Sequence, residues 1–299
     1  MDGILNVYKE KGFTSHDVVA KLRGILKQKK IGHTGTLDPD AVGVLPICLG
    51  KGTKLCDMLT DRDKTYQVVM RLGVTTDTED MTGTVLDTKD VNVSVEDVEQ
   101  AISQFIGEIA QIPPMYSALK VNGKKLYELA REGKVIERKP RNITIHSIDI
   151  NTISLPLVTM TVACSKGTYI RSLCRDIGET LGCGACMEQL TRTNVGKFAI
   201  EDSLTLSQIE TYQNTGELMN YLVDIQQVFQ NYPKVHTKEQ YDKLVYNGNP
   251  IGFDNLLEHT LSCDKTSPFC VYDSKDTFIG IFCYKEEKRK LYPEKMFFP

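Results

Sequence analysis

The chain has 299 residues, 41% hydrophobic and 25% charged, with a formal net charge of −3. Its length suggests about two domains, and its composition suits a globular protein with a sizeable core. No apolar run approaches the ~20 residues that span a bilayer. No basic segment followed by an apolar one opens the chain, so the expectation is a cytoplasmic protein with no membrane attachment.

Thr14 and Ser15 precede Val18, Val19, Leu22, Ile25 and Leu26 at helical spacing, which predicts a capped helix running to about Lys29. The next stretch, Gly32-His33-Thr34-Gly35-Thr36-Leu37-Asp38-Pro39-Asp40, reads as a loop. Pro39 pushes Asp38 out of the helical region, so its carboxylate can project into a cleft. Thr65 to Leu72 alternates, with Tyr66, Val68, Met70 and Leu72 on one strand face. Ser94 opens a second helix, with Val95, Val98, Ile102, Phe105 and Ile106 inward and Gly107 as its terminator.

Charge is segregated along the chain. Residues 77–100 carry eight acids against Lys89 alone, which reads as a solvated acidic surface. Residues 109–141 carry eight Lys or Arg against three Glu. Pro113-Pro114 and Asn122-Gly123 break that second segment, and Leu126 to Glu132 suits a short helix. It reads as a basic excursion from the core, able to attract phosphates. Ile143–Ile150 and Leu157–Ser165 read as strands, Tyr169–Leu181 as a helix ended by Gly182, and Asp202–Tyr212 as a further helix. Composition shifts near Tyr232-Pro233. Beyond it, Thr237-Lys238-Glu239-Gln240 reads as a capping box, and Phe269–Asp273 with Thr277–Tyr284 as a hairpin.

Nine cysteines are scattered, several among apolar residues, which suits reduced, buried thiols. Cys183-Gly184-Ala185-Cys186 is a C-x-x-C, but a zinc site wants a second close pair and Cys263 and Cys270 are too far apart to supply it, so no metal is expected.

Three segments carry a family resemblance. Gly32-His33-Thr34-Gly35-Thr36-Leu37-Asp38-Pro39, then Lys64-Thr65-Tyr66, then Gly167-Thr168-Tyr169-Ile170-Arg171-Ser172-Leu173 strongly resemble the TruB family of tRNA pseudouridine synthases. The match extends from residue 4 to about 198 and includes Lys11-Gly12-Phe13-Thr14-Ser15-His16 and Leu190-Thr191-Arg192-Thr193. Glu10 departs from it, standing where the family often has proline.

The resemblance implies an α+β fold: a catalytic domain (1–232) around a mixed, largely antiparallel sheet, with a thumb-like insertion at 109–141. A small β-rich PUA-like module (233–299) would hold the acceptor arm. It implies isomerisation of uridine 55 in the T-arm loop of tRNA, by base flipping and exchange of the C1′–N1 bond for C1′–C5. Asp38 is then the catalytic carboxylate, with three routes open: attack on the base, attack on the sugar, or removal of a sugar proton. Arg171 would favour its ionised form by charge and orient it by paired hydrogen bonds. Tyr66 would stack on the extruded base. His33, Leu190, Lys64 and Tyr169 would line the nucleotide, and Lys120, Lys124, Lys125, Arg131 and Arg141 would meet RNA phosphates. The reaction has no net redox or phosphoryl step, so no cofactor is called for. A monomer without obligate protein partner is expected.

Three other readings compete. Asp38-Pro39-Asp40 has the D-x-D form of a magnesium-dependent aspartyl nucleophile, but the preceding Gly, Thr and His are not a buried apolar strand. A binding-only RNA protein fits the basic segment and the C-terminal module equally well, whereas a guide-RNA-dependent synthase subunit would have other partners in place of that segment. The long insertion around Pro113-Pro114-Met115-Tyr116 favours the stand-alone enzyme.

Overall fold

A computed structural model describes residues 1–121, 123–257 and 266–298; Asn122 and Cys263 fall outside them. The chain opens with β1 (Gly3–Lys9), α1 (Ser15–Leu26), β2 (Ile31–His33) and β3 (Val42–Leu49). After α2 (Cys56–Thr60) come β4 (Lys64–Leu72), β5 (Val74–Thr76), β6 (Val85–Thr88), α3 (Val95–Ser103) and β7 (Gly107–Gln111). The excursion holds β8 (Lys120–Val121), β9 (Lys124–Lys125) and α4 (Leu126–Arg131). Next are β10 (Arg141–Ser154), β11 (Leu157–Cys164), α5 (Ile170–Thr180), β12 (Ala185–Val195), β13 (Phe198–Ala199), α6 (Leu206–Thr215) and β14 (Leu222–Val223). The C-terminal part contains β15 (Lys234–His236), α7 (Asp242–Tyr246), β16 (Phe269–Tyr272), β17 (Phe278–Lys285) and β18 (Lys290–Met296).

The main sheet runs β14-β1-β3-β12-β4-β11-β10-β7, with β2 beside β3 and β13 beside β12. Its pairs are antiparallel except β3 with β12, which run parallel. The expected mixed, largely antiparallel sheet is therefore present. Strands β1, β3 and β12 are nonetheless not among the elements that the sequence predicts. Strand β3 is buried along nearly its whole length, so it lacks the alternation that marks a half-exposed strand. Leu45, Ile47 and Leu49 pack under α1 and α6, while Val44 and Cys48 pack on the opposite face.

Several boundaries move. Helix α1 is capped by Thr14 in a reciprocal pair with Asp17, and ends at Leu26 because Lys27 turns left-handed at φ 49°. Helix α3 ends at Ser103, leaving Val95 and Ile106 exposed, and Gly107 starts a strand instead of ending the helix. Helix α6 starts at Leu206, because Thr205 and Gln208 form the capping box there. Thr237 makes no such box. It is buried, and its hydroxyl donates to the Asp242 carboxylate. Residues 109–111 and Arg141 belong to β7 and β10 of the main sheet, so the excursion proper starts after Gln111.

The C-terminal four-stranded sheet, β15-β16-β17-β18, contains the expected hairpin, β16 with β17. It shares a core with the rest of the chain. Phe278 and Phe297 lie 6.4 Å and 6.1 Å from Phe229, with Tyr272 and Cys270 in the same cluster as Ile4 and Val44.

Candidate active site

The Asp38 loop joins β2 to β3 and is tied down from three sides. The Ser15 hydroxyl accepts from the Leu37 N–H at 3.0 Å. The Thr34 N–H donates to the Pro46 carbonyl at 3.2 Å, and the Gly12 N–H to the Pro39 carbonyl at 2.9 Å. Lys9, fully buried on β1, donates to the carbonyls of Phe13 (2.6 Å), Pro39 (2.9 Å) and Glu10 (3.2 Å). Burial lowers the Lys9 pKa to about 8, with Asp38 and Asp40 opposing. Gly43 lets β3 approach β12, since a Cβ there would strike the Arg192 backbone.

Arg171 enters from the first turn of α5. Its Nε lies 3.0 Å from Asp38 Oδ2 and its Nη2 donates to Asp38 Oδ1 at 3.3 Å, so the fork grips both oxygens. The other donors go to the Tyr116 carbonyl (2.9 Å) and the Thr78 carbonyl (3.0 Å), and Asp80 Oδ2 lies 3.7 Å away. The Arg171 side chain is 6% exposed, whereas 38% of the Asp38 side chain meets solvent in the cleft. A buried cation is thus fully engaged behind an accessible anion.

The pair does not depress the Asp38 pKa as the sequence reading expects. Burial raises it above the ordinary carboxylate value, Arg171 and Lys9 oppose, and Asp80 adds to the rise. Desolvation outweighs the guanidinium here.

Tyr66, on the inward face of β4, joins Leu37, Ala41 and Leu190 in one apolar cluster. Leu190 on β12 pairs with Val68 on β4, which sets it beside the tyrosine's strand. Burial raises the Tyr66 pKa, and its phenol feels the charges of Arg192 and Asp38. The Tyr169 phenol likewise feels Arg171 and Asp38, while its backbone is fixed by Gln111 at 2.9 Å and 3.0 Å. His33 accepts the Gly35 N–H on Nδ1 at 3.3 Å, which leaves Nε2 to carry the proton. Burial and then the neighbouring His16 lower its pKa, so it is neutral near pH 7. Asp38, Arg171, Tyr66, Leu190 and Tyr169 therefore converge on one region, and His33 stands at the start of the same loop beside His16, 5.1 Å away ring to ring.

Lys64 is engaged elsewhere. Its ammonium donates to the carbonyls of Thr60 (2.7 Å) and Arg62 (2.6 Å), closing the turn after α2. Lys120, Lys124, Lys125 and Arg131 lie on the excursion, with Lys125 and Arg131 stacked 5.3 Å and 5.5 Å from the Tyr127 ring. Arg141 stands at the excursion's return into the sheet. Among the described residues, no group of three metal-ligating side chains occurs, and Cys183 and Cys186 are both buried.

The sequence reading missed Lys9, Asp80 and Arg192. Asp80 lies in the stretch read as solvated acidic surface, yet is 8% exposed and accepts from Thr78 (2.8 Å) and Thr82 (3.0 Å). Arg192 is 1% exposed, donates to the Val44 carbonyl at 2.7 Å and sits beside Tyr66. Asp40 is exposed, so the D-x-D pair does not share the cleft.

The model of the TruB family pseudouridylate synthase N-terminal domain matches residues 23–170, and that of the tRNA pseudouridylate synthase B C-terminal domain matches 171–230. A protein of Lachnoclostridium phytofermentans named tRNA pseudouridine synthase B is 56% identical, covering 99% of this chain and 100% of its own length. One of the same name from Clostridium kluyveri is 48% identical over 97% and 98%. The chain belongs to the TruB family of pseudouridine synthases. The fold of this TruB-family synthase is similar to that in a solved Cbf5-Nop10-Gar1 complex, at a TM-score of 0.75 and 27% identity over 99% of this chain and 85% of that one. A structure of an H/ACA RNP bound to substrate RNA matches at 0.73 and 25% over the same shares. Membership in this family supersedes the aspartyl-phosphotransfer reading.

Proposed function

We propose that this chain isomerises uridine 55 in the T-arm loop of tRNA to pseudouridine, with Asp38 as the catalytic carboxylate. The observation that carries this reading is the two-oxygen grip of Arg171 on Asp38 beside the Tyr66–Leu190 apolar wall. An extruded uracil stacks on Tyr66 and rests against Leu190. Stacking is worth about 1–3 kcal/mol, which offsets a few kcal/mol of unstacking. His33 donates from Nε2 to the RNA, and Tyr169 closes the sugar side. Arg171 aims one Asp38 oxygen at the nucleotide and stabilises the carboxylate charge; all three routes for Asp38 start from the ionised form. Lys9 adds positive charge near Asp38 and Arg192 near Tyr66. Lys64 supports the β4 end that carries Tyr66.

The excursion after Gln111 acts as the thumb that meets the RNA loop, through Lys120, Lys124, Lys125 and Arg131, with Arg141 at its root. The division at 232/233 separates the catalytic domain from the module that holds the acceptor arm. On this reading the chain works as a cytoplasmic monomer that needs no guide RNA, protein partner or cofactor. The relatives named tRNA pseudouridine synthase B support tRNA as substrate. Incubating the purified chain alone with unmodified tRNA transcript, followed by mapping of pseudouridine, tests this. Pseudouridine at nucleotide 55 is the expected product. No product without added RNA or protein favours the guide-dependent reading, and product at another nucleotide overturns the assignment of position.

A further inference from the structure

A second arginine repeats the contacts of the first. Arg171 and Arg175 are one turn apart on α5, and both reach the same two segments. Arg171 holds the Thr78 carbonyl, Asp80 and the Tyr116 carbonyl. Arg175 pairs with the Glu79 carboxylate and donates to the Ile112 carbonyl at 3.4 Å. Its remaining acidic neighbours are Asp176 at 2.6 Å and Glu179 at 3.8 Å.

Glu79 is the link. It stands between Thr78 and Asp80, the two residues on this segment that receive Arg171. It is 9% exposed and sits at φ 64°, a left-handed conformation that a side-chain-bearing residue adopts at a cost. Both carboxylate oxygens are used: one faces Arg175, and the other accepts the Ser172 hydroxyl at 2.6 Å. Its carbonyl accepts the Met187 N–H of β12 at 3.0 Å. A buried, fully partnered carboxylate in a strained backbone is over-determined by its surroundings, and what it fixes is the segment beneath Arg171.

We propose that Glu79 and Arg175 are positioning residues that set the Thr78–Asp80 segment against α5, so that Arg171 is held in register with both Asp38 oxygens. The proposal rests on the reading that Asp38 and Arg171 carry the reaction. Neither positioning residue touches substrate; both act through Arg171.

Glu79→Gly is the informative variant, because glycine accepts the left-handed backbone and only the carboxylate is lost. It is compared with Arg175→Met, the double variant and Arg175→Lys, by single-turnover rate, tRNA affinity, thermal melting and the acid limb of kcat/KM against pH. Both single variants should lose about tenfold to a hundredfold in rate, as small misplacements near a reacting centre do, with tRNA affinity unchanged. The double should be no slower than the worse single, and Arg175→Lys should recover part of the rate.

The groups facing Asp38 are Arg171, Asp80 and Lys9, with Tyr66 and Tyr169 nearby. Loosening Arg171 weakens its hold on the ionised form, so the acid limb should move to higher pH in both singles. Opposite movements in the two would mean that the pair acts by its own charge and would overturn the proposal. So would a folded Glu79→Gly protein with wild-type rate and limb, or a double variant whose loss is the product of the singles. Failure of the underlying reading is separate: Asp38→Asn would then keep its turnover whatever Glu79→Gly does.

Discussion

The cleft and the basic excursion both use arginine and lysine, in opposite ways. In the cleft, Arg171 is 6% exposed and its donors reach Asp38, Thr78 and Tyr116. On the excursion, Lys124 and Lys134 are 60% and 59% exposed and share the single acid Glu132. Exposed pairs like these contribute little to stability and fade with salt. On the proposed reading, the difference shows what each charge is for. A reacting carboxylate needs a cation that cannot move, in a place where screening is weak. Capture of a polyanion needs cations free to follow the backbone and exchange their counterions.

The largest expected effect isolates the cleft from the excursion. Asp38→Asn should lower the single-turnover rate on unmodified tRNA by about 10⁴-fold or more, the scale of losing a catalytic nucleophile or base. Filter binding should show tRNA affinity within a few-fold of the parent. If affinity collapsed along with rate, the two regions would not be separable.

Arg171→Lys keeps the charge and loses the fork, and a loss of about 10²–10³ in kcat is expected, comparable to removing an aimed donor. A fully active lysine variant would mean that charge alone suffices.

Lys9→Met leaves the Phe13, Pro39 and Glu10 carbonyls without their common donor. Chemical denaturation should register a loss of about 1–3 kcal/mol, with the activity loss appearing through the displaced Asp38 loop.

The pH profile gives a milder signature. Burial raises the Asp38 pKa, so protonation removes the active form at a pH above the ordinary carboxylate value of about 3.9. Below that raised pKa, kcat/KM should fall about tenfold per pH unit. An acid limb at or below the ordinary value would show that Arg171 outweighs desolvation.

The smallest effect belongs to the excursion. Replacing Lys120, Lys124 and Lys125 by alanine should weaken tRNA binding by up to about tenfold. It should also flatten the log–log salt dependence by about two units, with kcat at saturating tRNA retained. A large fall in kcat would place these lysines in the chemistry instead.

By itself, the sequence determined the local features. Thr14 and Asp17 set the start of α1, and alternation in Tyr66, Val68, Met70 and Leu72 set β4. Gly182 closed α5, and the motifs around Asp38, Tyr66 and Arg171 carried the family. Each of these is written within a few residues by caps, periodicity or forbidden backbone angles. Only tertiary structure decided the rest. Strands β1 and β3 are buried on both faces, so no period marks them. The acidic stretch looked solvated until its turn brought Glu79 and Asp80 under α5. Lys9 and Arg192 are cations in the interior, stabilised by carbonyls contributed by other segments of the chain. The upward direction of the Asp38 pKa also comes from tertiary packing, because desolvation depends on everything packed around a group and not on the one partner a motif can name.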